Sequence, residues 1–183
     1  MIKPLGKNIA IKILKENDTS VGGIFIGKAP EDMPAEAIVI AVGSGILNKQ
    51  GKRIPLSIEI GEHILIAKYG VNKKIVDGQD IGFITEDAIL GTMLDFGNIF
   101  KPFGDHVIVK NIKETDMSPG GIIVSLRKTN ALHVWADVVD IGDKCNFVKV
   151  DYSIYFPRLL AWQLEGDRML IKEETVLCAE DNS

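Results

Sequence analysis

Polar and apolar residues alternate along much of this chain. The runs "NIAIKI" (residues 8–13), "AIVIAV" (37–42) and "SIEIGEHILIA" (57–67) repeat with a period of two, are rich in Ile and Val, and are bounded by Gly or Pro. No segment of ten or more residues carries the 3.6-residue period of an amphipathic helix. The pattern therefore predicts an all-β chain of short strands, packed as small barrels or sandwiches. "LNKQGKRIP" (47–55) reads as a hairpin with Gln50-Gly51 at its tip. Two stretches stand apart, "SVGGIFIGK" from Ser20 and "SPGGIIVSL" from Ser118. Each places two glycines and an apolar triplet behind a polar lead-in, "KENDTS" and "KETDMS". Such a triplet is either a short buried strand or a segment whose burial site lies on another molecule.

The two stretches belong to a longer repeat. Residues 2–26 align without a gap on residues 100–124. Lys3, Pro4, Gly6, Lys12, Lys15, Glu16, Asp18, Ser20, Gly22, Gly23 and Ile24 each meet an identical residue there. Further on, "EAIVIAVG" (36–43) matches "WADVVDIG" (135–142), "IEIGEHILIA" (58–67) matches "VKVDYSIYFP" (148–157), and "GFITEDAILGTM" matches "MLIKEETVLCAE". The offset falls from 99 to 90 at one place, where the first copy has "SGILNKQGKRIPLS" and the second little more than "DKCN". Two homologous domains are expected, 1–94 and 99–183, joined by a linker at 95–98.

Composition narrows the function without naming it. With 46% hydrophobic and 25% charged residues among 183, the chain is of the core-forming kind. A net charge of −4 gives no general attraction to nucleic acid or to an anionic membrane face. No apolar run reaches the ~20 residues of a membrane span, and the N-terminal residues lack signal-peptide character. Cys145 and Cys178 read as free thiols of a reducing cytosol, with a single disulfide as the alternative. His63, His106 and His133 have no ligand partners at metal spacing, so no metal site is expected. "VGSGIL" lacks the third glycine and the following helix of a dinucleotide loop. Neither a Ser-His-Asp nor a Cys-His set is legible, and no enzyme is expected.

The residues resemble the GroES (chaperonin-10) co-chaperonin family. The first copy carries "IKPL", a polar loop with "GGIFI", "IVIAVGSG", a hairpin of the form "ILNKQGKRIPLSIEIGEHILI", then "YGVNKK" and "ITEDAIL", in that order. The second keeps "FKPFGDHVIVK", "GGIIV", "ADVVDIGD" and "LIKEETVLC", but loses the hairpin and replaces the "YGV" segment by "PRLLAWQLEG". A tandem arrangement is similar to the double-domain co-chaperonins of plastids, and a missing hairpin is similar to certain bacteriophage co-chaperonins.

The resemblance implies two GroES-like small β-barrels and a ring-forming, homo-oligomeric lid on an ATP-driven GroEL-type chaperonin. That lid encloses a folding substrate protein and works in the cytoplasm. ATP is bound by the partner, so the chain itself needs no cofactor. Chaperonin binding falls to two mobile loops, about residues 15–35 and 113–133. Their contact residues are Gly22, Gly23, Ile24, Phe25 and Ile26, and Gly120, Gly121, Ile122, Ile123 and Val124. The first copy supplies a roof hairpin at about 46–58, with Lys49, Gln50, Gly51 and Lys52 at its tip, and Tyr69 at a cavity-facing position. Leu159, Leu160 and Trp162 stand in the second copy either as substitutes for Tyr69 or as core. Rings of this family are sealed when the last strand of one subunit pairs with the first of the next, which satisfies exposed edges. Residues 88–93 and 99–103 are the corresponding strands here; a seven-position ring cannot be filled evenly by pairs, which leaves four chains, or seven with the copies differently placed, as alternatives the sequence does not decide. The competing reading is a tandem small-barrel binding module that keeps only the ancestry of a co-chaperonin.

Overall fold

The computed structural model describes residues 2–16, 34–76, 78–93, 100–113, 133–164 and 166–181. Both triplets, with their glycine pairs, lie outside the described residues. The chain divides into two compact units, Met1–Phe100 and Lys101–Ser183.

In the first unit the strands β1 (Ile9–Glu16), β2 (Pro34–Val42), β3 (Ile46–Leu47), β4 (Arg53–Ile54), β5 (His63–Ala67), β6 (Asn72–Val76), β7 (Gln79–Ile84) and β8 (Ile89–Met93) follow one another. The main sheet runs β6-β7-β1-β2-β5-β8, and β3 and β4 form a separate ribbon. The period of two explains the burial. In β2, Ala35, Ala37 and Val39 point inward while the residues between them are partly exposed. Ile9, Ile11, Ile64, Ile66, Ile84, Ile89 and Leu90 complete the core. At about 1.5–3 kcal/mol for each such side chain removed from water, these residues dominate the favourable side of folding.

β9 (Phe100–Pro102) opens the second copy, followed by β10 (His106–Lys113), β11 (His133–Ile141), β12 (Tyr152–Pro157), β13 (Trp162–Gln163), β14 (Met169–Lys172) and β15 (Cys178–Asp181). Its sheet runs β13-β14-β10-β11-β12-β15 around Val107, Val109, Val134, Val138, Ile154, Phe156 and Ile171. Among the described residues, helical structure is confined to four three-residue 3-10 turns. The all-β class and the repeated fold read from the sequence both hold.

The repetition extends to backbone irregularities. A register shift at Ala10/Ile11 in the β1–β2 ladder recurs at Ile108/Val109 between β10 and β11. Such bulges bend strands and increase their twist. Gly61 turns the chain at φ +93°, and its counterpart Asp151 holds a left-handed φ of +72°. An aspartate tolerates that region better than most side chains. Both donate a backbone N–H to the preceding long strand, to Val39 O at 2.8 Å and to Val138 O at 3.1 Å.

Gly43 and Gly142 mark an equivalent close approach of two backbone segments in the two units. Gly43 N–H donates to Asn8 O at 2.9 Å, and Gly142 N–H to His106 O at 2.8 Å. A Cβ on Gly43 would lie 2.3 Å from Gly6 O, and one on Gly142 2.2 Å from Gly104 O. Those neighbours are backbone atoms, so neither side can yield by rotating a side chain. Gly142→Ala is expected to destabilise the second unit by about 1–3 kcal/mol. Trp135 and Trp162, the chain's two tryptophans, both lie in that unit. Urea unfolding followed by tryptophan fluorescence reads the change, and an unshifted midpoint would show that the backbone accommodates the methyl.

Candidate functional site

The feature that most separates the two copies is the ribbon of β3 and β4. Its pairs are Ile46 with Ile54 and Leu47 with Arg53. The side chains of Ile46, Leu47 and Ile54 are largely exposed, so the ribbon has no core within the described residues. Local hydrogen bonds shape it instead. Asn48 N–H donates to Lys52 O at 2.9 Å, and Gly51 N–H donates to Asn48 O at 2.9 Å. The Asn48 side-chain oxygen accepts from the N–H groups of Gln50 (3.0 Å) and Lys52 (2.8 Å). That arrangement is an Asx-type turn closed on itself. Gly51 takes φ +77° at the tip, as the Gln50-Gly51 pair predicted. Lys49, Gln50, Gly51 and Lys52 are all exposed there. Asn48 was not singled out in the sequence, although Asn two residues before a Gln-Gly tip is itself a turn signal.

Two contacts tie the ribbon down. On the entering side, Gly45 N–H donates to Gly6 O at 3.0 Å, and the Arg53 guanidinium bonds the Ser44 hydroxyl and carbonyl. On the returning side, the Glu86 carboxylate accepts the Ser57 N–H, next to the buried Ile58. Tyr69, in the 3-10 turn Lys68–Gly70, is 61% exposed.

In the second unit the same two anchor points survive without the ribbon. Lys144 N–H donates to Gly104 O at 2.9 Å, the equivalent of Gly45 on Gly6. Asp143 Oδ1 adds a bond from Gly104 N–H at 3.0 Å. Glu173, aligned with Glu86, accepts the N–H groups of Asn146 (2.9 Å), Phe147 (2.7 Å) and Val148 (2.8 Å) on Oε1, and Asn146 again on Oε2 (3.0 Å). Burial alone would raise the Glu173 pKa, but the bonds from Val148, Asn146 and Phe147 outweigh it and hold the carboxyl below its ordinary value. The shortened loop is thus a closed turn around a carboxylate, with Phe147 turned 82% out to solvent.

Cys145 and Cys178 are both free thiols. Cys145 lies in the closed turn, where desolvation and then the Glu173 charge push its pKa up to about 11. It is a poor nucleophile in that state. Leu159 and Leu160, in the 3-10 turn Arg158–Leu160 that matches Lys68–Gly70, are exposed and form no core. Trp162 is half-buried beside His106. Among the described residues, no three His, Cys, Asp or Glu side chains gather as metal ligands do. No described helix is long and apolar enough to cross a membrane.

Glu173→Gln removes the charge and part of the acceptor capacity beneath three N–H groups, that of Val148 buried and those of Asn146 and Phe147 partly so. It is expected to cost about 1.5–3 kcal/mol at neutral pH, the range for hydrogen bonds to a charged group. The lowered carboxyl makes this stability fully present above the ordinary value of 4.5 and lost as the pH falls through the folded-state value. Urea melts of both proteins at pH 7 and at progressively lower pH should show a gap that closes in acid. A gap that persists at low pH, or is absent at pH 7, would contradict the anchor.

The same organisation occurs in known proteins. The model of one family, the chaperonin 10 Kd subunit, matches residues 1–93 and again 99–180. A co-chaperonin GroES from Methylacidiphilum infernorum is 42% identical over 89 residues, which are 49% of this chain and 90% of that protein. A co-chaperonin GroES from Exiguobacterium sibiricum is 38% identical over 90 residues, 49% of this chain and 96% of its own length. A third, from Desulfotalea psychrophila, is 38% identical over 92 residues, 50% of this chain and 97% of its own. Each relative is therefore about half as long as this chain and similar to one copy of it. With both halves matched by the same family model, the chain belongs to the chaperonin 10 family, a family of co-chaperonins that are not enzymes and need no cofactor of their own.

Proposed function

We propose that this protein is a co-chaperonin that caps a GroEL-type chaperonin in an ATP-dependent cycle, as a homo-oligomeric ring over an enclosed substrate protein in the cytoplasm. The observation that carries the reading is the double family match, on residues 1–93 and 99–180, with relatives that are themselves named co-chaperonin GroES. The domains of this reading are 1–94 and 99–183, joined at 95–98.

Chaperonin binding is assigned to Gly22, Gly23, Ile24, Phe25 and Ile26 and to Gly120, Gly121, Ile122, Ile123 and Val124. Their support is chemical. Both copies hold an apolar triplet behind a glycine pair and a polar lead-in, in the same register. A loop of that composition loses conformational entropy when it docks, so a single contact is weak for its area. Several loops on one ring recover affinity through effective concentration, and weak single contacts still permit release. Tandem copies place two such loops on every chain.

Lys49, Gln50, Gly51 and Lys52 are assigned to the roof, and Tyr69 to the cavity wall. Their exposure suits those roles. With a ribbon on only one copy of each pair, the roof carries half as many hairpins as loops, which leaves a more open dome.

Co-sedimentation with a GroEL-type double ring, with and without ATP or ADP, tests the reading. The wild type is expected in the pellet only with nucleotide. A variant carrying I24S and F25S should lose capture by at least about tenfold, because several weak contacts act together, while keeping the wild-type circular dichroism. The matching pair I122S and I123S measures what the second copy adds. Nucleotide-independent behaviour, or capture unchanged by both pairs, would favour a tandem binding module that no longer serves a chaperonin.

A further inference from the structure

His106, at the start of β10, is one of the few buried titratable side chains in the described chain, and the lid function does not use it. Its Nδ1 lies 2.8 Å from Phe103 O. A carbonyl only accepts, so Nδ1 carries the hydrogen, and Nε2 is left as a bare acceptor. Nε2 is buried and has no hydrogen-bond partner among the described residues. The ring lies against Trp162, with centroids 5.9 Å apart and planes at 56°. Trp162 opens β13, a two-residue edge strand that pairs with β14 through Trp162–Leu170 and Gln163–Met169. β14 in turn pairs with β10, with His106 opposite Lys172.

The first copy provides a built-in comparison. Asn8 occupies the position of His106, and its side-chain amide donates to Leu5 O at 2.8 Å, the same bond at the same length. The backbone bonds agree as well, Asn8 N–H to Leu5 O and His106 N–H to Phe103 O. At the position of Trp162 the first copy has Asn72, which is exposed. An amide in solvent has thus been replaced by an imidazole under an indole, with the turn geometry unchanged.

We propose that His106 is an acid-operated latch of the second unit: neutral, it lets Trp162 close β13 over the start of β10, and protonated, it releases the β13–β14 edge, a response the first unit lacks because Asn8 does not titrate. The inference goes beyond the co-chaperonin reading and does not rest on it.

The chemistry follows from the missing acceptor. A proton on Nε2 creates a buried charge and a buried donor at once, and no described group is placed to receive the donor. The charged groups around the ring divide. Asp105, whose Oδ1 is 3.6 Å from Nδ1, and Glu174, beyond β14, favour the proton, whereas Lys172 on β14 opposes it. β13 contributes only Trp162 and Gln163, which do not titrate, and the adjoining loop contributes the neutral thiol of Cys145, 3.5 Å from His106 O. Desolvation is the largest influence and lowers the pKa from 6.5. Opening gives the ring water and its ordinary affinity for a proton. The closed form is therefore unaffected above pH 6.5, and below it the open form gains by up to about tenfold per pH unit until the closed form also titrates. A two-residue edge strand is the element that opens at least cost.

Hydrogen exchange on the full chain tests the latch, with protection factors corrected for intrinsic exchange. The Leu164 amide, bonded to Arg168 O at 3.0 Å, reports on the β13–β14 hairpin. Its protection should fall several-fold between pH 6.5 and 5.0, while amides of the β6–β7 hairpin hold theirs. In H106N the Leu164 value should be independent of pH, even if its baseline is lower. Constant protection in the wild type, or an equal fall in H106N, would overturn the proposal. Should H106N not fold, ring nitrogen shifts of the wild type decide. A His106 midpoint below pH 6.5, with Leu164 losing protection above it, supports the latch. Protonation near pH 6.5 with protection intact overturns it.

Discussion

A carboxylate that accepts backbone N–H from the chain returning to the sheet, the partly exposed Glu86 in the first copy and the buried Glu173 in the second, is the constraint on which each copy depends. Strands end where their ladder bonds run out, and the chain leaving β2 or β11 must find new acceptors before it can re-enter the sheet. Glu86 meets that need at Ser57 in the first copy, and Glu173 meets it at Asn146, Phe147 and Val148 in the second. The anchored stretch leads straight into a core side chain, Ile58 after Ser57 and Val148 at the end of its own anchored run, both nearly inaccessible to solvent. Holding the backbone there fixes where that side chain enters the core. It also fixes where β5 and β12 begin, and through them the rest of each sheet.

With that point held, the length of chain before it becomes free to vary. The first copy uses it for a ribbon whose geometry is local, set by Asn48 and Gly51 rather than by burial. The second copy closes the gap with a short turn. Both leave the core residues of their units in equivalent positions, because the other anchor, the backbone bond to Gly6 or Gly104, is also common to both. The difference between the copies is therefore one of presented surface. One shows exposed cations on a stiff turn, and the other shows Phe147.

Much of this was legible in the residues. Alternation in "AIVIAV" and its counterpart gave the strands, since a sheet with one buried face leaves a period of two in any sequence. The aligned copies located the missing ribbon, and Gln50-Gly51 located its tip. Glu173 was visible only as a letter in "LIKEETVLC", identical to Glu86 at its place, because a carboxylate's role depends on which N–H groups the fold brings to it. Leu159 and Leu160 left core and surface equally open, and only the 3-10 turn settles them as exposed. His106 illustrates the same limit from the other side. Its neighbour Trp162 is 56 positions away in sequence and reaches it through two strand pairings that no local pattern announces.

The paired anchors have an evolutionary consequence. A segment fastened at both ends by bonds that belong to the body of the domain behaves as a cassette. It can be shortened, lengthened or exchanged without the core having to re-optimise, because its own ladder pairs only within the ribbon, and no buried side chain and no hydrogen bond of the main sheet is lost with it. After a duplication, one copy can therefore discard its cassette in a single deletion and still fold, while the other keeps the original. Divergence of the two halves would then begin in what each shows to the outside, long before it reached what holds either together.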